Sequence, residues 1–263
     1  MLNRFFKLSR LLSEKDANTN TETQKARVPE GLRLYAIGDI HGRSDLLHQI
    51  LHGIERFEAS KSDGKKYRLI FLGDYVDRGP DSKSVLDLLT KLSHSTTDTV
   101  FLKGNHEAGM LEFIKSAHES DRWLEWGGIE TLESYGVDAG LTRSQDSMAS
   151  DLAKAIPQSH LSFLEQLLLS YEAGDYYFAH AGVKPGTPLK EQSERDLLWI
   201  RDEFHNTAPD QRPEKIVVHG HHPVKKPLDA GWRIAVDTGA IWTGKLSAVR
   251  LEGSKREFIT VHE

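Results

Sequence analysis

The chain opens on a polar stretch and then changes abruptly to apolar runs. Ser13 to Glu30 is polar, with Asn18-Thr-Asn-Thr-Glu-Thr23 at its centre, and residues 1–29 are expected to form a disordered leader before a domain spanning 30–263. Leu32-Arg-Leu-Tyr-Ala-Ile37 is a short apolar run ending at Gly38-Asp39, the pattern of a buried strand. Leu46, Leu47, Ile50, Leu51 and Ile54 then recur at helical spacing. A second strand, Arg68–Leu72, ends at Gly73-Asp74. Val85, Leu86, Leu88, Leu89 and Leu92 mark a second helix, with Asp81 or Ser82 as its N-cap. A third strand, Thr99–Leu102, leads to Gly104-Asn105 and a helix from about His106. Strands and helices alternating in this way make a βαβαβ unit, so these strands should be parallel.

Residues 109–170 read as helical and more polar, an α-helical insertion or cap beside the sheet. Strand patterns return at Asp175–Ala179, Lys215–Val218, Trp232–Val236, Leu246–Leu251 and Glu257–Val261. No Pro- or Gly-rich linker divides the halves and no internal repeat is present, so a single α/β sandwich is the economical fold.

Composition narrows the chemistry. The chain has 0 cysteines, which removes disulfides, thiolate metal sites and any cysteine nucleophile, and fits a reducing, cytoplasmic setting. A net charge of −5 gives no basic footprint for nucleic acid. No apolar run approaches the ~20 residues that span a bilayer. Met1–Leu12 mixes Arg4, Lys7 and Arg10 with six large apolar residues; a frayed terminus is expected, with a short amphipathic helix as the alternative and no stable membrane association.

The candidate chemistry sits at the strand ends. They read Gly38-Asp39-Ile40-His41-Gly42, Gly73-Asp74-Tyr75-Val76-Asp77-Arg78-Gly79 and Gly104-Asn105-His106-Glu107. Ligands of parallel α/β sheets gather beyond the carboxyl ends of the strands, and each Gly lets the backbone turn so that the next side chain enters that crevice. Later, His180-Ala181-Gly182 and His219-Gly220-His221-His222-Pro223-Val224 also follow strands. Taken singly, a Gly-Asp is commonly a turn or N-cap and a histidine commonly structural. Five strand ends carrying ligand types in this order are another matter. Carboxylate and imidazole together suit Mn, Fe or Zn.

The joint pattern resembles the calcineurin-like metallophosphoesterases, and within them the PPP-type serine/threonine phosphatases of bacteria and phages. The motifs GDxHG, GDxVDRG, GNHE, HAG and a late GH are all present between Gly38 and Val224. Trp126-Gly-Gly128, Asp196–Arg201 and Val236–Ala240 also resemble bacterial members. The resemblance implies an α/β metallophosphoesterase β-sandwich flanked by helices, and two divalent metal ions, Mn foremost, with Fe or Zn also suited. It implies that Asp39 and His41 bind one ion, that Asp74 bridges both, and that Asn105, His180 and His221 bind the second. A bridging water or hydroxide would attack phosphorus directly between ions about 3.5–4 Å apart. By the same resemblance Arg78 and Arg201, with Asn105, hold the substrate phosphate, and His106 is the general acid, oriented by Asp77. For Arg201, a surface salt bridge to Asp202 or Glu203 is the alternative.

The late motif departs from the family at His222, where bacterial relatives carry Thr; His221 is taken as the ligand because it follows Gly220, with His219 and His222 flanking it. Glu107, His48, His52, His94, His118, His160 and His205 read as structural or surface residues, and Trp123, Trp126 and Trp199 as packing. The implied activity is hydrolysis of phosphoserine and phosphothreonine in proteins or peptides. Symmetrical cleavage of diadenosine tetraphosphate, or of a related nucleotide, is the alternative. Asp77-Arg78-Gly79 favours the first, because it keeps the partner of His106. A catalytically inactive binding module would have lost a ligand or the His106–Asp77 pair, and neither loss occurs.

Overall fold

A computed structural model describes residues 26–117 and 122–263. The first three strands, β1 (Leu32–Ile37), β2 (Lys66–Phe71) and β3 (Asp98–Phe101), alternate with α1 (Ser44–Ala59) and α2 (Ser82–Ser93) and pair in parallel, Ile37 opposite Phe71 and Phe71 opposite Phe101. Asp81 caps α2, its carboxylate accepting the Ser84 N–H. After α3 (Asn105–Lys115) come a π-helical turn (Leu124–Gly128), α4 (Ile129–Ser134), α5 (Gln145–Ala155) and α6 (Gln158–Glu165). The chain continues through β4 (Ser170–Ala173), β5 (Tyr176–Ala179), α7 (Glu194–Trp199), α8 (Asp202–His205), β6 (Ile216–His219), β7 (Leu228–Asp229), β8 (Arg233–Ala235) and α9 (Ala240–Thr243), and ends in β9 (Lys245–Glu252) and β10 (Lys255–His262).

Two five-stranded sheets result, ordered β10-β9-β1-β2-β3 and β4-β5-β6-β8-β7. In the first, β9 and β10 close the edge antiparallel; in the second, β5, β6 and β8 are parallel and the edge strands antiparallel. The period-2 alternation of β1 sorts its side chains: Leu34 and Ala36 pack with Phe178, Val218 and Ile234 of the second sheet, while Tyr35 and Ile37 pack with Leu46, Leu47 and Ile50 of α1. Because both faces are covered, Leu34–Ile37 of β1 is a continuous apolar run rather than an alternating one. Tyr177, Ala179 and Val217 cover the outer face of the second sheet with Leu197 and Phe204. The layers therefore run helix, sheet, sheet, helix, the β-sandwich flanked by helices that the motifs implied.

Some features differ from expectation. The edge strands β4 and β7 were not foreseen; with four and two residues they are too short to show a period. Val28, assigned to the leader, is buried in the intersheet core, and its N–H donates to Gly253 O at 3.1 Å, so the ordered domain begins before residue 30. The expectations for residues 1–25 and for His118 lie outside the described residues. Among those described, no helix is long and apolar enough to cross a membrane.

Candidate active site

Six strands deliver their carboxyl ends to one place. β1, β2 and β3 lead to Asp39–His41, Asp74–Arg78 and Asn105–His106; β5, β6 and β8 lead to His180, His221 and Asp237. The backbone there is unusual. Among the described residues, the non-glycine positions with left-handed φ are His41 (45°), Asp74 (52°), Asp77 (75°), Arg78 (66°) and His221 (62°), every one a candidate site residue. Each such conformation costs about 1–3 kcal/mol and persists where the surroundings over-determine it.

The motif glycines serve partly a different purpose from the tight turns first inferred. Gly104 and Gly220 have no left-handed φ, yet a Cβ at Gly104 would lie 2.1 Å from Asp74 Oδ1, and one at Gly220 would lie 2.0 Å from Asp39 Oδ1. Close approach of backbone to carboxylate is what excludes a side chain at these two positions.

Asp74 is the centre of the cluster. Its Oδ2 is 3.6 Å from His41 Nε2 and its Oδ1 is 3.4 Å from His180 Nε2. His180 Nε2 also faces Asn105 Oδ1 at 3.0 Å and His221 Nδ1 at 3.2 Å. The other nitrogens of two rings are fixed: His41 Nδ1 donates to Val76 O and His180 Nδ1 to Leu72 O, both at 2.9 Å, which turns Nε2 of each ring toward the cluster. Asp39 is buried, its Oδ2 accepting the His221 N–H at 2.9 Å, while its Oδ1 has no partner.

Such a convergence of acceptors fits divalent cations. Two groups of ligand atoms lie within 4.8 Å of one another, His41–Asp74–His106 and Asp74–His180–His221, and Asp74 belongs to both. Burial, then the neighbouring Asp237 and Asp74, pushes the Asp39 carboxyl well above its usual range. Burial holds His41 down at about 3 and His221 at about 2, so both imidazoles are neutral and able to ligate. Burial opposes ionisation of Asp74, but His180 and His106 outweigh it and keep the carboxylate charged. Of the three late histidines only His221 reaches the cluster. His219 donates from Nδ1 to Gly220 O, and the His222 ring lies tilted against His205, 4.4 Å between centroids.

His106 stands apart in its bonding. Its Nδ1 is 2.7 Å from Asp77 Oδ2, and its Nε2 is 3.8 Å from Asp74 Oδ2. Burial lowers its pKa, but Asp74 and Asp77 prevail and raise it. Arg78 donates from Nε to Trp126 O at 3.2 Å, its Nη1 is 2.7 Å from His41 Nε2, and its guanidinium lies 5.1 Å from the exposed Trp242 ring. Arg201 is exposed, and among the described residues it makes no ion pair with Asp202 or Glu203; its charge instead helps to depress His221. Trp123 is buried packing, as expected. Trp126 and the half-exposed Trp199 contact each other at 4.9 Å and rim the cluster, 6.3 Å from His106 and 6.4 Å from His221.

Sequence reasoning missed the residues that hold these groups. Trp123 Nε1 donates to Asp77 Oδ2 at 2.8 Å and the Thr131 hydroxyl to Asp77 Oδ1 at 2.7 Å, so the insertion orients the partner of His106. Asp237, whose carboxyl burial pushes up to about 6, lies close enough to raise Asp39 in turn. Its strand-end position in Val236-Asp-Thr-Gly was a usable signal. Glu107 is fully buried and accepts the N–H groups of Asp74, Tyr75, Val76 and Gly104 at 2.9, 2.7, 3.3 and 2.8 Å. Glu107→Gln turns an amide donor toward those donors. It should cost about 1–3 kcal/mol of stability and weaken metal binding about 10–100-fold. Thermal melts and calorimetric metal titration check this; unchanged values in both would make Glu107 a bystander.

Comparison with known proteins agrees with this geometry. The family model of the calcineurin-like phosphoesterases matches residues 32–252. Serine/threonine-protein phosphatase 2 of Escherichia coli K12 is 28% identical over 89% of this chain and 99% of its own length. The asymmetrical bis(5'-nucleosyl)-tetraphosphatase PrpE of Oceanobacillus iheyensis is 25% identical over 88% of this chain and 92% of its own. A crystal structure titled as that of a candidate diadenosine tetraphosphatase superposes with a TM-score of 0.60 at 24% identity, covering 91% of this chain and 95% of its own, a likeness of fold.

Proposed function

The chain belongs to the calcineurin-like phosphoesterase family, and from that premise we propose that it is a metal-dependent phosphomonoesterase acting on phosphoserine and phosphothreonine in cytoplasmic proteins. The observation that carries this reading is the 2.7 Å contact between His106 Nδ1 and Asp77 Oδ2, beside the ligand cluster. A serine or threonine alkoxide is a poor leaving group and needs a proton as the P–O bond breaks. With Nδ1 committed to Asp77, His106 presents Nε2–H to that oxygen. Asp39 and His41 would hold one cation, Asn105, His180 and His221 the other, and Asp74 both. Cations bound there, Mn foremost, supply Lewis-acid activation of the attacking water and charge neutralisation at the phosphoryl oxygens. Arg78, Arg201 and the Asn105 amide bind and orient the phosphoryl group. Similarity to the Escherichia coli phosphatase supports the protein substrate.

A second reading is favoured by the PrpE relatives and by the half-exposed Trp199 at the rim, which offers a face for base stacking. It is asymmetrical cleavage of a dinucleoside tetraphosphate, in place of the symmetrical cleavage the sequence suggested. The test is a side-by-side turnover panel with Mn-loaded enzyme on phosphoserine, phosphothreonine and phosphotyrosine peptides and diadenosine tetraphosphate. The highest kcat/KM is expected on the phosphoserine and phosphothreonine peptides; a higher value on the tetraphosphate replaces the first reading by the second.

Metal removal gives an independent check. Chelation should abolish turnover and lower Tm by about 5 °C or more, because it leaves buried carboxylates facing one another. Added Mn should restore both; turnover that survives exhaustive chelation would sink the metal-dependent mechanism.

A further inference from the structure

Two of the buried polar atoms that lack a hydrogen-bond partner, Asp39 Oδ1 and His221 Nε2, belong to the candidate metal centre. Three others form a separate group beside the same loop: His205 Nε2, His222 Nδ1 and Arg233 Nε. The His205 and His222 rings are 4.4 Å apart, and His205 is 5.6 Å from His219. Arg233 Nη1 donates toward His219 Nε2 at 3.3 Å, and the one proton of that neutral ring, on Nδ1, goes to Gly220 O. Burial, and then neighbouring charges that include Arg201, lowers the pKa of His205 and His222 here, as it does for His221 in the cluster.

The chemistry of this group is one-sided. Neutral imidazoles can carry their protons on His205 Nε2 and His222 Nδ1, so both join the Arg233 guanidinium as donors. Arg33, Arg43, Arg68, Arg143, Arg250 and Arg256 all meet carboxylates in this protein. Arg233, though half-buried, meets none among the described residues, and burial alone lowers its pKa. Asp202 is a carboxylate that bears on both histidines, and among the described residues it makes no ion pair with either. A partly desolvated cation without a counter-ion is costly. The arginine makes a second metal ion an unsuitable occupant, and an oxyanion is the complement of such a set of donors. The group also accounts for His222, the position at which the late motif departs from its family pattern.

We propose that Arg233, His205 and His222 form a second phosphate-binding site next to the metal centre, which takes a second phosphoryl group of the substrate. The inference rests on reading the metal centre as a phosphoester site and favours, among its substrates, those with more than one phosphoryl group within reach. Free inorganic phosphate would satisfy the same donors, and the experiment separates the two sources.

Arg233→Leu and, separately, the double variant His205→Leu/His222→Thr are compared with wild type as Mn-loaded proteins. The substrates are p-nitrophenyl phosphate, with one phosphoryl group, diadenosine tetraphosphate, and a peptide with two neighbouring phosphoserines. Loss of charged hydrogen bonds should lower kcat/KM about tenfold on at least one of the two multiply phosphorylated substrates, while p-nitrophenyl phosphate changes by less than about twofold. Calorimetric titration with inorganic phosphate reads the other source: loss of one bound phosphate per chain in both variants, without the kinetic change, assigns the site to the free anion. Equal losses on all three substrates would reduce the group to structural support, and unchanged kinetics with unchanged phosphate stoichiometry would overturn the site. Failure of the wild type to hydrolyse p-nitrophenyl phosphate would count against the metal-centre reading instead, and the phosphate titration would still report on Arg233 and the histidine pair.

Discussion

An Asp74→Asn variant is expected to keep its fold and to lose at least about a thousandfold in turnover on every phosphoester. Asp74 is the member common to both groups of ligand atoms, with one oxygen toward His41 and the other toward His180. Its neighbours keep it ionised despite burial, so a fixed negative charge is what the position contributes. Asparagine preserves the shape and removes that charge, and it replaces one acceptor by a donor aimed at an imidazole. The fold should tolerate the change. The residue sits at φ 52°, a conformation asparagine adopts more readily than most. The side-chain oxygen that accepts the His106 N–H at 3.1 Å also has an amide counterpart. Phosphate release, metal content per chain and a thermal melt read the three parts of this prediction. Full turnover with a full metal complement would remove Asp74 from the centre of the mechanism.

A His106→Asn variant should separate substrates by their leaving groups. On a phosphoserine peptide the loss should be about 10²–10⁴-fold, the usual worth of general acid catalysis. On p-nitrophenyl phosphate it should be far smaller, because p-nitrophenolate departs without a proton. The geometry allows a competing role, since His106 Nε2 falls within the same group of ligand atoms as His41 and Asp74. The two roles differ in what they predict. An acid lost from beside the metals leaves the metal content unchanged and splits the substrates. A ligand lost lowers the metal content and damages both substrates alike, and that outcome would refute His106 as the acid.

Much of the first sheet and of the site could be read locally. β1, β2, α1 and α2 announce themselves because burial on a strand or on one helix face imposes a period on neighbouring residues. The ligand types at the strand ends were legible for a related reason: in a parallel sheet the carboxyl end of a strand is a place as well as a position in sequence. Family membership followed from those motifs, and the match over residues 32–252 bears it out. Legibility failed where a residue's role depends on distant partners. Nothing near Glu107 in sequence says that its carboxylate will collect N–H groups from 74–76 across the cleft. Nothing near Asp77 announces Trp123 and Thr131, 46 and 54 residues away.

The strand-end clusters that organise this protein were thus written in the sequence as residue types: the aspartates, the histidines, the asparagine and the glycines that admit them. Asp74 as the shared member and His221 as the late ligand were expected from the motifs, and the geometry places both accordingly. Tertiary structure alone decided what surrounds them, and it left His219 and His222 beside His205 and Arg233 in a group of their own. The physical reason is that ligand identity is a property of one side chain, whereas bridging, buttressing and charge imbalance are properties of atoms brought within about 3–4 Å by two sheets closing on each other.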